Sequence, residues 1–105
     1  MNIDFAYVDG TMTVTLFGEL DESNAHNVRK QLDEKIERIR PIRVIFDLEE
    51  LLFMDSTGVG LFVGRYKKHK NPTAFYIKSP SIVVDKILKL SGIYTIMPRI
   101  DKEFV

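Results

Sequence analysis

No cysteine occurs among the 105 residues of the chain. Disulfide bonds, thiol nucleophiles and cysteine-ligated zinc are therefore excluded, and the composition is typical of a reducing cytoplasm. The sequence also lacks any apolar run close to the roughly 18–20 residues that span a membrane. Its first residues, MNIDFAYVDG, lack the basic and apolar segments of a signal peptide. We therefore expect a cytoplasmic protein with no membrane partner.

An excess of one charge is missing as well, because 15 Lys and Arg residues balance 15 Asp and Glu residues. Direct binding to nucleic acid needs a sustained excess of basic residues, so we expect no nucleic-acid partner. The length fits one domain of about 100–150 residues, and a hydrophobic content of 45% is that of a folded protein. We therefore expect a single domain over residues 1–105.

Apolar and polar residues alternate on both sides of Asp9-Gly10, a pair that favours a tight turn. The alternating apolar residues are Ile3, Phe5, Tyr7, Met12, Val14 and Leu16. This pattern predicts an N-terminal β-hairpin. A helix is predicted over residues 24–39, where apolar residues recur every three or four positions. Ser23 or Asn24 would cap the start of that helix.

Short apolar segments and helical patterns then alternate along the chain. Residues 43–48 form a nearly continuous apolar run, which predicts a strand buried on both faces at the centre of the sheet. Further strands are predicted at residues 74–77 and 93–97. The order is β-β-α-β-α-β-α-β, which indicates an α/β domain with a mixed β-sheet and helices packed on it.

Two further helices are predicted between these strands. The first contains Gly58, Gly60 and Gly64, each of which weakens a helix by about 1 kcal/mol relative to alanine. We expect these glycines to let the helix approach a neighbouring element closely. The second helix is predicted to start at a Ser81 cap and to end at Gly92 in a left-handed conformation.

Few residues are arranged for catalysis or metal binding. His26 and His69 lie in charged stretches without a second ligand at a metal-site spacing, so we expect both to be solvated. Carboxylates gather around one strand end, and such groups are common without a metal. They are Asp47, Glu49, Glu50 and Asp55. No common nucleophile, phosphate-loop or zinc motif is present. We expect no metal, no cofactor and no enzymatic activity.

A small polar group, Asp55-Ser56-Thr57, separates a buried apolar run from a glycine-rich helix. One of these side chains could simply cap the helix. Alternatively, the helix start could hold a functional hydroxyl or an anion, because the helix dipole favours negative charge there. Phosphorylation would add about −1.5 to −2 charges, which Asp55 would repel. The pattern alone leaves these interpretations open.

Residues 47–60 resemble the signature of STAS domains, specifically the bacterial anti-sigma factor antagonists. The resemblance covers roughly residues 3–97, and its other segments follow in the same order. They are Gly18-Glu19-Leu20-Asp21, Gly64-Arg65-Tyr66-Lys67, Ser79-Pro80 and Leu90-Ser91-Gly92-Ile93. The sporulation antagonists resemble the chain most, and the general-stress antagonists are the next nearest relatives.

The resemblance implies a protein that binds an anti-sigma factor and so releases a sigma factor. The anti-sigma factor would also be a Ser/Thr kinase, which uses its own ATP and Mg²⁺ to phosphorylate Ser56 and end binding. A phosphatase would restore the unmodified form. The implied partner-binding residues are Asp21, Asp55, Ser56, Thr57, Gly58, Val59 and Gly60. The alternative functions are a small-ligand or nucleotide-binding STAS module, or a general-stress rather than a sporulation antagonist.

Overall fold

The computed structural model describes residues 1–100, so residues 101–105 of the predicted domain lie outside the described residues. Six strands, three α-helices and one 3₁₀ turn follow one another within residues 1–100. The strands are β1 (Asn2–Val8), β2 (Thr11–Leu20), β3 (Arg43–Asp47), β4 (Leu51–Met54), β5 (Ala74–Lys78) and β6 (Arg99–Ile100). The helices are α1 (Ala25–Ile39), α2 (Ser56–His69) and α3 (Ile82–Ser91), and the 3₁₀ turn is Ile93–Thr95.

The strands form one mixed sheet in the order β1-β2-β3-β5-β6, and β4 pairs with β2 off this path. The β1–β2 hairpin is antiparallel, whereas the other pairings are parallel. Val44, Ile45 and Phe46 of the central strand β3 are fully buried. The predicted hairpin and the predicted two-sided burial of β3 are therefore confirmed.

Strand β4 is absent from the order predicted from the sequence. It is only four residues long, and its two middle residues, Leu52 and Phe53, are both exposed. The pairing with β2 shifts register between Gly18 and Glu19, and Gly18 has a positive φ of 95°. Because this irregularity breaks the two-residue alternation, the segment has no recognisable strand pattern.

The predicted strand over residues 93–97 is wrong. Gly92 ends α3 in the left-handed conformation with φ 78°, as predicted, and the chain then tightens into a 3₁₀ turn. The N–H of Thr95 donates to the Gly92 carbonyl and that of Met97 to the Ile93 carbonyl. These groups bond within the segment instead of across a sheet, and the last strand of the described residues is β6.

Tyr94 ties the 3₁₀ turn to α3 through a hydrogen bond from its hydroxyl to Asp85 Oδ1. Burial and this carboxylate raise the pKa of Tyr94 above its usual value. We expect Tyr94→Phe to lower the free energy of unfolding by about 1.5 kcal/mol, since hydrogen bonds to charged groups contribute about 1.5–3 kcal/mol. Urea denaturation measures this, with Tyr7→Phe on the exposed side of the hairpin as control. Equal effects of the two substitutions would contradict the assignment.

Helices α1 and α2 pack against each other and cover the core of the sheet. The rings of Phe46 on β3 and Phe62 on α2 stack with their centroids 4.5 Å apart. Ser81 caps α3 as predicted, because its Oγ accepts the N–H of Val84 at 3.3 Å. None of the helices in the described part of the chain combines the length and apolar character that a membrane crossing requires.

Candidate functional site

The sheet brings Asp21 and Asp55 to the same edge although 34 positions separate them in sequence. Leu20 and Met54 pair at the carboxyl ends of the parallel strands β2 and β4. The N–H of Asp55 continues the pairing by donating to the Leu20 carbonyl at 3.3 Å. The two segments that the sequence singled out are therefore neighbours at one end of the sheet.

Asp55 is the N-cap of α2, and Ser56 is the first residue of the helix. The Asp55 carboxylate accepts the N–H of Thr57 at 2.9 Å and that of Gly58 at 3.3 Å. Ser56 is exposed, and its hydroxyl has no hydrogen-bond partner among residues 1–100. The sequence left open whether this polar group caps the helix or supplies a functional hydroxyl. In the structure Asp55 is the cap and Ser56 carries the exposed hydroxyl.

The occupied cap makes the start of α2 a poor site for a free anion. A negatively charged side chain already accepts two of the first N–H groups of the helix. An added anion would meet the charge of Asp55 as well as fewer available donors. The proposed small-ligand site at residues 55–60 is therefore disfavoured by the cap.

The three glycines of α2 have different surroundings. A Cβ on the buried Gly58 would lie 2.8 Å from Met54 Cε and 3.1 Å from Leu20 Cδ2, so the predicted close approach is confirmed there. The prediction is wrong for Gly60 and Gly64, because no atom of residues 1–100 outside the adjacent backbone of α2 lies within 4 Å of a Cβ at either position. These two residues face an open groove between α1 and α2.

This difference predicts opposite effects of alanine on the stability of the protein. Gly60→Ala is expected to raise the free energy of unfolding by about 0.5–1 kcal/mol, since alanine is the better helix former. Gly58→Ala is expected to lower it by about 1 kcal/mol, since overpacking costs about 1–3 kcal/mol and exceeds the helix gain. Denaturant titration compares the two variants directly. A change of the same sign in both would contradict the packing described for Gly58.

The residues that the family resemblance assigned to partner binding differ in how exposed they are. Thr57 and Gly60 are exposed, whereas Val59 is half-buried against the core. Gly58 is buried beneath Leu20 and Met54, so it cannot offer a side of the helix to a partner. Close packing against the sheet explains why a glycine occupies this position. The exposed residues around it form the accessible surface.

Asp21 is held in a polar turn between β2 and α1. Its Oδ1 accepts the N–H of Ser23 at 2.9 Å and also the Ser23 hydroxyl, and these bonds lower the pKa of Asp21. The predicted cap is confirmed in position, because Asn24 is the N-cap residue of α1, but its side chain makes no capping hydrogen bond. Asn24 instead donates to the Glu19 carbonyl at 2.8 Å and accepts the N–H of Asp21. The turn therefore holds an ionised carboxylate beside the start of α2.

A cluster of charged and polar side chains between α1 and α2 was not predicted from the sequence. Asp33 on α1 lies 3.0 Å from Arg65 Nε, 3.4 Å from Lys68 Nζ and 2.8 Å from His69 Nε2. Burial alone would raise the pKa of Asp33, but these three groups lower it overall. His26 is exposed as predicted, whereas the prediction for His69 is wrong because only 9% of its side chain is exposed.

The same cluster contains a possible metal-ligand set that the sequence spacing did not reveal. Ligand atoms of Asp33, Glu37 and His69 all lie within 4.8 Å of one another. Lys68 Nζ already lies 3.1 Å from a Glu37 oxygen and 3.4 Å from an Asp33 oxygen. The cationic side chains therefore balance the carboxylates, and the cluster is an ion-pair network that joins the two helices.

Known proteins match this chain over nearly its whole length. A family model described as STAS domain matches residues 2–103. The anti-sigma F factor antagonist of Paenibacillus polymyxa is 35% identical over 98% of this chain and 89% of its own length. The anti-sigma-B factor antagonist of Staphylococcus aureus is 31% identical over 92% of this chain and 90% of its own length.

Two solved structures of the anti-sigma factor antagonist SpoIIAA extend the comparison. The unphosphorylated form is 29% identical with a TM-score of 0.80, and the match covers 96% of this chain and 90% of that one. The phosphorylated form, from Bacillus, is 28% identical with a TM-score of 0.71, covering 96% and 93%. With a family model spanning nearly all residues and relatives above 30% identity, the chain belongs to the STAS domain family, among the anti-sigma factor antagonists.

Proposed function

We propose that this chain binds an anti-sigma factor that is also a Ser/Thr kinase, and that phosphorylation of Ser56 ends the binding. The unmodified chain would occupy the anti-sigma factor and thereby release a sigma factor. The observation that carries the proposal is the exposed hydroxyl of Ser56, which has no hydrogen-bond partner within residues 1–100 and directly follows the Asp55 cap. A relative 35% identical over nearly the whole chain is an anti-sigma F factor antagonist, which favours a sigma factor of that type.

The position of Ser56 explains how one modification could change the binding surface. Asp21 and Asp55 already place two carboxylates at this edge of the sheet. A phosphoryl group adds about −1.5 to −2 charges beside them. Immediately after transfer, the kinase also holds ADP, whose phosphates are negative. Like charges across an interface cost several kcal/mol, so the phosphorylated chain would be released.

The proposed partner surface consists of residues from the β2–α1 turn and the start of α2. Gly58 contributes by letting α2 pack against β2 and β4, not by direct contact. The surface residues proposed for contact are Asp21, Asp55, Ser56, Thr57, Val59 and Gly60. The chain supplies only the acceptor hydroxyl, while the kinase supplies ATP and Mg²⁺ and a Ser/Thr phosphatase restores the unmodified form.

Size-exclusion chromatography with the anti-sigma factor encoded in the same genome tests this proposal. We expect the purified chain to form a complex in the absence of ATP. Addition of ATP and Mg²⁺ should dissociate it, and treatment of the released chain with phosphatase should restore complex formation. A complex that ATP and Mg²⁺ leave intact, despite phosphorylation of the chain, would overturn the switching mechanism.

A further inference from the structure

Strand β1 is an open edge of the sheet within residues 1–100. All seven of its residues pair with β2, and no described strand pairs with its other side. Strand β6, at the opposite end of the sheet, has only two residues, and α3 packs against the short strand β4. The outer side of β1 therefore presents the longest row of unpaired backbone N–H and C=O groups in the described sheet.

Strand β1 also lacks the features that usually protect such an edge. Its residues, NIDFAYV, include no lysine and no proline, and Asp4 is their one charged side chain. The seven pairs with β2 follow one another without a register shift, so no bulge twists the edge away. Lysines, prolines and bulges are the usual obstacles to pairing with another chain. The edge is therefore open to an additional strand.

A second copy of β1 fits this edge in an antiparallel register. Full overlap of two strands over residues 2–8 places Phe5 of one copy directly opposite Phe5 of the other. The same register sets Ile3 opposite Tyr7, whose residue surface is 50% exposed in the single chain. Pairs of aromatic and apolar side chains across two strands stabilise a sheet. The symmetric spacing of Ile3, Phe5 and Tyr7 therefore makes the edge self-complementary.

This register also keeps the acidic side chains apart. Asp4 and Ala6 are both exposed, and alternate residues of a strand share one face. At full overlap Asp4 lies opposite Ala6 of the second copy, so no carboxylate faces another one. A register centred on Asp4 would instead place two carboxylates directly opposite each other, which destabilises a strand pair. Both faces of β1 thus favour full overlap.

We infer that the chain forms a two-fold symmetric homodimer by antiparallel pairing of β1 with β1 of a second copy, centred on Phe5. The contact uses the same edge of each copy, so it closes at two copies. One strand pair is smaller than a standard interface of about 1,600 Å², and weak association is typical of small interfaces. The inference does not depend on the proposed switch at Ser56.

Sedimentation equilibrium of the purified chain tests the inference between about 10 µM and about 1 mM protein, the range in which weak association is measurable. We expect a reversible monomer–dimer equilibrium with its midpoint in the upper part of this range. A monomer at every concentration would overturn the inference. Open-ended oligomers would overturn it as well, because the inferred contact closes at two copies.

Opposite charges introduced at position 6 test the register. Ala6→Asp places a carboxylate opposite Asp4 of the second copy, twice in each dimer, and should weaken dimerisation about 10-fold. Ala6→Lys places an opposite charge there and should strengthen dimerisation several-fold. Circular dichroism verifies that both variants remain folded. Equal weakening by the two substitutions would contradict the register, because a general disturbance of β1 would then explain both effects.

A matched control adds the same charge away from β1. Leu90 is 82% exposed on α3, so Leu90→Asp adds a carboxylate on the surface without touching the inferred contact. This variant should change the dimerisation constant less than about 2-fold. A loss equal to that of Ala6→Asp would show that net charge, and not pairing of β1, controls the association, and it would contradict the inference.

Discussion

Replacing Ser56 with glutamate is expected to weaken binding of the anti-sigma factor by about 100-fold, equivalent to about 2.7 kcal/mol. Glutamate adds one negative charge at the first residue of α2, beside Asp55 and the turn that holds Asp21. The free hydroxyl of Ser56 makes no intramolecular bond among the described residues, so the fold should lose little. Calorimetric titration of the variant with the nucleotide-free anti-sigma factor measures the effect.

Two variants separate charge at this site from other changes. Ser56→Ala removes the hydroxyl without adding charge, and it should bind within a few-fold of the wild-type affinity. Val8→Glu adds the same charge at a 67% exposed position near the β1–β2 turn, at the opposite end of β2 from Leu20. It should bind as wild type does. Wild-type affinity of Ser56→Glu, or an equal loss in Val8→Glu, would refute local repulsion as the release mechanism.

Replacing Asp33 with alanine is expected to lower the free energy of unfolding by about 3 kcal/mol. The substitution leaves Arg65, which is 8% exposed, without the carboxylate that lies 3.0 Å from its Nε. Removing one partner of a buried ion pair costs about 3–5 kcal/mol, and the partial exposure of Asp33 places the effect at the lower limit. Urea denaturation at neutral pH measures it. Glu34→Ala, an exposed neighbour on α1, should change stability by less than about 0.5 kcal/mol.

The Asp33 contribution should also depend on pH in one direction. The pKa of Asp33 in the folded protein lies below the reference value of 3.8. Its stabilising effect is therefore complete well above pH 3.8 and is lost as the pH falls through the folded-state pKa. The stability difference between wild type and Asp33→Ala should accordingly shrink below about pH 4. A difference that stays constant from pH 7 to pH 3 would contradict the ion-pair account.

Elements with a regular apolar period were predictable from the sequence. The hairpin follows from two-residue alternation around Asp9-Gly10, and β3 follows from a continuous apolar run. Strand β4 was missed because Leu52 is an extra residue in its pairing with Gly18 and Glu19 of β2, and this irregularity interrupts the alternation within β4. Residues 93–97 have the composition of a strand, but the left-handed Gly92 starts a tight turn that bonds within itself. Local backbone geometry determines the structure of both segments, and the pattern of apolar residues contains little information about that geometry.

The candidate site was likewise only partly predictable from the sequence. Asp55 and Ser56 were recognisable because a capping carboxylate and a hydroxyl stand beside a helix start. The contact between Asp33 and His69 was not recognisable, because 36 positions separate the two residues and only the packing of α1 on α2 brings them together. The unlike roles of Gly58 and Gly60 also depend on which side of α2 faces the sheet. Contacts between distant elements thus set the parts of the site that no local pattern revealed.

Phosphate incorporation into the intact chain tests the central claim most directly. Wild type, Ser56→Ala and Thr57→Ala are each incubated with the anti-sigma factor kinase, ATP and Mg²⁺, and intact-mass spectrometry counts the phosphates. We predict one phosphate on wild type and on Thr57→Ala, and none on Ser56→Ala. Incorporation into Ser56→Ala equal to that of wild type would contradict the account, because the switch would then depend on another residue.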